Sequence, residues 1–267
     1  ASWSDGDVPT GAASARECQI YRSSVQGLVT SAQRLRRLDE RQALVIHTPS
    51  GIFPVPLVFH GATLSPEEFG QFAPVGEYQA EELIHTFRND GLGVPFVGMY
   101  RDVGKQAGPA YWLPDKLPFA LTAVLRADLG AVRRAFLLPA AESVEPAVAA
   151  GPPSDSLAVL DWYNPLRHDT LVNDSASIPL ARDLSAPYGY VFGNEPREWL
   201  TTFLAPGEMS SDDGLRFLEP WQPGKKPIIF VHGLLSDPIT WLAMANELRA
   251  DPAFREQYQL LGFRYST

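Results

Sequence analysis

From Tyr21 onward, apolar residues return at alternating spacings of four and three: Tyr21, Val25, Leu28, Ala32 and Leu35. A stripe at that period, preceded by the Ser14/Glu17 capping box, predicts one amphipathic helix over 15–40. The stripe is too short for a sustained coiled coil, so it is expected to face a core. At Ala43 the pattern changes to short β-rich runs broken by Pro and Gly. Ala43–His47 and Val55–Phe59 read as strands around the turn Thr48-Pro49-Ser50-Gly51. Val94–Arg101, Phe119–Arg126 and Val132–Leu138 read as further strands. Ser65-Pro66-Glu67-Glu68 caps a short helix. After an exposed Ala/Gly/Pro/Ser-rich loop over 147–155, Leu157–Tyr163 and Thr170–Val172 read as a hairpin across residues 164–169. Glu195–Leu204 reads as a helix and Gly214–Trp221 as a strand.

The turn Gln222-Pro223-Gly224 leads into the most informative stretch, Lys225 to Trp241. Pro227 to Val231 is a short apolar run with β-branched residues, the pattern of a buried strand. His232-Gly233 breaks it. Ser236-Asp237-Pro238 then opens a helix with a polar cap and Pro at the first helical position. A second copy of this pattern, strand then His60-Gly61 then Ser65-Pro66, is set aside. Pro54 and Pro56 disfavour a central strand, and no helix of comparable length follows, so His60 is read as structural.

Strand, His-Gly turn and capped helix resemble the third strand, oxyanion loop and first helix of an α/β-hydrolase. Residues from about 205 to 267 resemble the opening of a bacterial enzyme of the esterase/lipase group, related to GPI-inositol-deacylase-like hydrolases. Glu247 to Pro252 and a strand over Leu260–Tyr265 follow in that family's order. Asp-Leu-Ser-Ala-Pro at 183–187 is similar to the β-rich extension some bacterial members carry. The resemblance implies an α/β fold class: a β-rich α+β N-terminal region, then the first strands and helix of a hydrolase sheet. It divides the chain into a lead-in over 1–13, an accessory region over 14–204 and the hydrolase start over 205–267. It implies hydrolysis of carboxylic esters with an acyl or lipid moiety, and no metal or organic cofactor.

In that family the residue after the Gly donates its backbone N–H to the oxyanion. Here that residue is Leu234, with Gly233 allowing close backbone approach and His232 holding the loop. Trp241 and Leu248 are expected to pack the helix onto the sheet. The family's Ser sits in a Gly-x-Ser-x-Gly turn with triad acid and His further on. No Gly in the 267 residues is followed two positions later by Ser. Starting at Ala1 and stopping inside a predicted strand, the chain is expected to be the N-terminal part of such a hydrolase, inactive alone. Its partners would then be a small-molecule or lipid ester and the rest of the hydrolase domain. The alternative reading is a non-catalytic module that binds a partner, a glycan or an envelope surface.

Composition narrows the classes further. A formal charge of −9 argues against nucleic acid, which needs a basic face. Arg34, Arg36, Arg37 and Arg41 read as the solvated face of a helix. No apolar run reaches the roughly 18–20 residues of a membrane span, and no signal-peptide core is present. The bacterial envelope and the cytoplasm both remain open as locations. Cys18 is the single cysteine, so no intramolecular disulfide forms, and it reads as a small buried residue. His47, His60, His85, His168 and His232 lack His-x-x-x-His spacing, so no metal site is expected. Glu81-Glu82 and Asp212-Asp213 are adjacent carboxylates that point apart on any regular element.

Overall fold

The computed structural model describes residues 15–37, 43–61, 64–77, 83–103, 113, 116–137, 156–173, 176–193, 214–231 and 238–264. These form a mixed α/β structure, mostly strands, with thirteen strands and five α-helices among the described residues. They divide into two compact units, one from 1–60 and 123–162, the other from 61–122 and 163–267.

The first unit opens with helix α1, Ala15–Arg34. Val25, Val29 and Ala32 are its buried face, close to the predicted stripe. The helix stops short of residue 40. The Arg37 N–H bonds Ala32 O at 2.8 Å, the Arg36 N–H bonds Gln33 O at 3.0 Å, and Arg36 takes φ +52. This pair of bonds around a left-handed residue closes a helix C-terminus. Leu35, expected on the apolar stripe, lies past that end and is 51% exposed. Cys18 is also exposed rather than buried, because all of Ala15–Ile20 is exposed.

Strand β1, Ala43–Thr48, pairs antiparallel with β2, Gly51–His60, across the predicted turn. Strand β7, Ala158–Tyr163, and residues 123–127 follow beside β2, so β2 has a neighbour on each side. That corrects the expectation drawn from Pro54 and Pro56. Thr48 and Gly51 close a two-residue hairpin, and Pro54 and Pro56 both stand an odd number of positions beyond Gly51. Both missing donors therefore fall on the same edge of β2, and Phe53 and Val55 keep the ladder with β1. Helix α2, Leu129–Leu137, replaces the strand expected over Val132–Leu138. Asp128 starts it: its carboxylate accepts from the Ala131 N–H at 3.0 Å and its carbonyl from the Val132 N–H at 2.9 Å.

In the second unit the capping box at Ser65 and Glu68 forms on a single 3-10 turn, Pro66–Glu68. Strand β3, Phe69–Pro74, pairs antiparallel with β5, Val94–Tyr100, and residues 118–122 lie on the other side of β5. Residues 118–127 form one strand, β6, cut by the division between units. The short β4, Arg88–Asn89, pairs with β10, Arg182–Asp183. The hairpin expected between 157–163 and 170–172 is not made. Strand β8, Thr170–Asn173, pairs instead with β9, Ala176–Pro179. Helix α3, Ala186–Gly193, follows. The capping Ser14, the loop 147–155, the helix expected over 195–204, Glu81-Glu82 and Asp212-Asp213 lie outside the described residues.

The same unit carries a three-stranded sheet. Strand β11, Gly214–Phe217, is antiparallel to β13, Tyr258–Arg264, and β12, Lys226–Val231, is parallel to β13 on its other side. Two helices, α4 (Pro238–Ala250) and α5 (Pro252–Gln257), connect β12 to β13. A parallel neighbour requires such a crossover, and a helix meets the need because its apolar face lies back on the strands it joins. Leu242 and Ala245 of α4 bury against Phe230 and Leu260, with Leu83 and Tyr188 in the same cluster. Trp241 and Leu248 pack on it as expected. β12 reaches from Lys226 to Val231, one residue longer than its apolar run at the start, and β13 starts two residues earlier than expected.

Candidate functional site

The strand β12 ends at Val231 and α4 begins at Pro238, the first helical position that the sequence assigns to proline. His232, Gly233 and Leu234 fall between them and lie outside the described residues. What the structure describes is the frame on either side. The carboxyl end of a parallel strand followed by a helix N-terminus is where open α/β sheets place ligands. Free backbone N–H groups and the positive end of the helix favour an anion there. In α4, Trp241 stacks on Phe230 with ring centroids 5.1 Å apart and an interplanar angle of 27°. That contact ties the first turns of the helix to the end of the strand.

Further along α4, two polar side chains occupy core-facing positions. Asn246 and Arg249 follow Leu242 and Ala245 at helical spacing, and all four are buried. The Ser185 hydroxyl donates to Asn246 Oδ1 at 2.7 Å, and Asn246 Nδ2 donates to His85 O at 2.9 Å. Arg249 donates to Glu219 Oε2 at 3.1 Å, to the Tyr188 hydroxyl at 2.5 Å and to Leu218 O at 2.5 Å. Glu219 closes the network by accepting the Leu260 N–H at 3.0 Å. Burial pushes the Tyr188 hydroxyl up to about 12, with Arg249 pulling the other way. Ser185 and Arg249 lie in the strings 183–187 and 247–252 that carry the resemblance, but the sequence assigns none of these residues a role. The only signal was polar identity at positions where the α4 period demands apolar ones.

A second cluster lies in the first unit. Asp161 of β7, fully buried, bonds His60 Nε2 of β2 at 2.7 Å and accepts from Arg126 Nε of β6 at 2.6 Å. One carboxylate thus links three strands, and His60, read from the sequence as structural, is one of its two partners here. Among the described residues no group of three or more His, Cys, Asp and Glu could hold a metal ion. No described helix is long and apolar enough to cross a membrane. Two cavities of about 20 Å³ border Arg249, one lined by Phe119, Leu166 and Glu219, the other by Leu117, Tyr188 and Leu242. Each has room for a water molecule.

No family model matches the chain, and no curated protein or solved structure matches it.

Proposed function

We propose that this chain supplies the opening strands and the oxyanion loop of a serine ester hydrolase, with the nucleophile and base on residues outside these 267. One observation carries the reading. An antiparallel strand, β11, precedes β12; a helix leaves the carboxyl end of β12; and the returning strand β13 inserts between the two, giving the order β11-β13-β12. The opening of an α/β-hydrolase sheet is wound in this order, with the oxyanion loop between the outer strand and the helix. The loop's sequence, His232-Gly233-Leu234, falls at that place. The Leu234 N–H would stabilise the tetrahedral oxyanion, and Gly233 would let the backbone approach it. The outer residues Ile229, Val231 and Phe263 stay 38–52% exposed. Parallel strands are ordinarily covered on both faces, which supports a sheet completed by further elements.

The test has two parts. These 267 residues alone are expected to turn over a short-chain p-nitrophenyl ester at background, because the nucleophile, the base and the oxyanion donor beside the nucleophile would all be missing. The coding sequence beyond Thr267 is expected to supply a Gly-x-Ser-x-Gly within about 100 residues, at single-domain spacing. In that longer protein, replacement of the serine by alanine abolishes turnover. Ester hydrolysis by the 267 residues that a fluorophosphonate blocks would overturn the reading, as would a longer protein without such a serine.

A further inference from the structure

The string Asp183-Leu184-Ser185-Ala186-Pro187 has no part in the proposed oxyanion chemistry, yet Asp183 and Ser185 are buried polar residues of the second unit. Asp183 Oδ1 accepts the Ser185 N–H at 3.0 Å and the Ala186 N–H at 2.8 Å, which fixes the start of α3. Its other oxygen pairs with Arg88 Nε at 2.6 Å. The Ser185 hydroxyl then faces two ways. It accepts the Phe87 N–H at 2.8 Å and donates to Asn246 of α4 at 2.7 Å. Asn246 returns a bond to His85 O. One turn further along α4, Arg249 bonds the Tyr188 hydroxyl of α3.

We infer that residues 85–88 and 183–188 form a brace that positions α4, with Ser185 and Asn246 as its pin, so that within the second unit these two segments and β12–α4–β13 move together. Three features support it. The bonds are reciprocal: each of Phe87 N, Ser185 Oγ, Asn246 Oδ1, Asn246 Nδ2 and His85 O has its partner inside the brace, so losing Ser185 strands donors and acceptors on both sides. The bonds converge on two positions three residues apart on one helix, which fixes rotation as well as height. Leu83 and Tyr188 share the apolar cluster of Phe230, Leu242 and Leu260, so the polar pin sits beside a packed core rather than at a surface. The inference rests on the proposed function only for its consequence, that the brace sets the helix following the oxyanion loop. The brace itself stands on contacts within this chain.

The experiment uses the 267-residue chain and no substrate, so it can fail independently of the hydrolase reading. Amide hydrogen exchange is compared for wild type, Ser185→Ala, Asn246→Ala and Ser185→Thr. The two alanine variants are expected to speed exchange by at least about tenfold, together, in 83–88 and 241–250, the loss expected for one stranded buried pair. Amides of β1 and β2 in the first unit stay unchanged and report that the protein is folded. Ser185→Thr keeps the hydroxyl and restores wild-type exchange. The Trp241 indole N–H resonance, assigned by Trp241→Phe, is expected to shift in both alanine variants and to return in Ser185→Thr. Exchange in 241–250 unchanged by either alanine variant overturns the brace, as does a rise confined to 183–188. If Ser185→Ala unfolds the chain, Asn246→Ala and Ser185→Thr test the brace by the same readouts.

Discussion

Replacing Arg249 by methionine keeps the aliphatic stem of the side chain and removes the guanidinium. Both members of the Arg249–Glu219 pair are buried, with side chains 8% and 5% exposed. The change leaves Glu219 Oε2 and Leu218 O without their donor and takes a partner from the Tyr188 hydroxyl. Removing one partner of a buried pair costs about 3–5 kcal/mol, because the remaining charge is neither hydrated nor paired. Against a total stability on the order of 5–15 kcal/mol, that is about a fifth or more. Replacing Glu219 by glutamine as well removes the stranded charge and keeps an acceptor for the Leu260 N–H. The double variant is therefore expected to lose less than the sum of the singles, by at least about 1.5 kcal/mol. Urea unfolding of the four proteins, followed by far-UV circular dichroism, measures the cycle. A loss below about 1 kcal/mol for Arg249→Met, or additivity within about 0.5 kcal/mol, would refute the reasoning.

Asp161→Asn is expected to cost less, about 1–2 kcal/mol, although Asp161 is fully buried. His60 and Arg126 are 35% and 48% exposed and recover water when the charge is lost; a loss above about 4 kcal/mol in the same assay would contradict this. Burial pushes both Tyr21 and Tyr188 up to about 12 from the ordinary value of 10.0. The folded chain thus keeps these protons where the unfolded chain releases them, so their stabilisation is complete below about pH 10 and is lost as pH rises from 10 to 12. Ultraviolet titration is expected to show Tyr21 and Tyr188 lagging until the protein unfolds, and Tyr21→Phe to remove one lagging tyrosine; uniform titration near 10 rules this out.

The β12–α4–β13 unit was legible because each of its parts carries a local signal. Ile228 to Val231 are β-branched or aromatic, and proline stands at the first helical position of α4. The strand expected at Val132–Leu138 failed on the same kind of signal. Leu129, Val132, Ala135 and Phe136 follow a helical spacing, and Asp128 is a helix cap, whereas Val132 is the single β-branched residue between Leu129 and Leu137. Strand partners were less legible. Leu157–Tyr163 pairs with strands distant in sequence, and no local turn encodes that choice. The brace was invisible for a different reason. Ser185, Asn246 and Arg249 read as ordinary polar residues until the fold brings segments 60 residues apart within hydrogen-bond distance, as at Ser185 and Asn246, 61 positions apart.

The oxyanion role proposed for Leu234 is tested most directly by one rate measurement. In the longer ester hydrolase proposed to contain this chain, Leu234→Pro removes the backbone donor, while Leu234→Ala keeps it. With folding verified by circular dichroism, Leu234→Ala is expected to stay near the wild-type kcat. Leu234→Pro is expected to fall at least about a hundredfold, the usual loss for one oxyanion-hole donor. A folded Leu234→Pro protein with near-wild-type kcat would take this loop out of the chemistry.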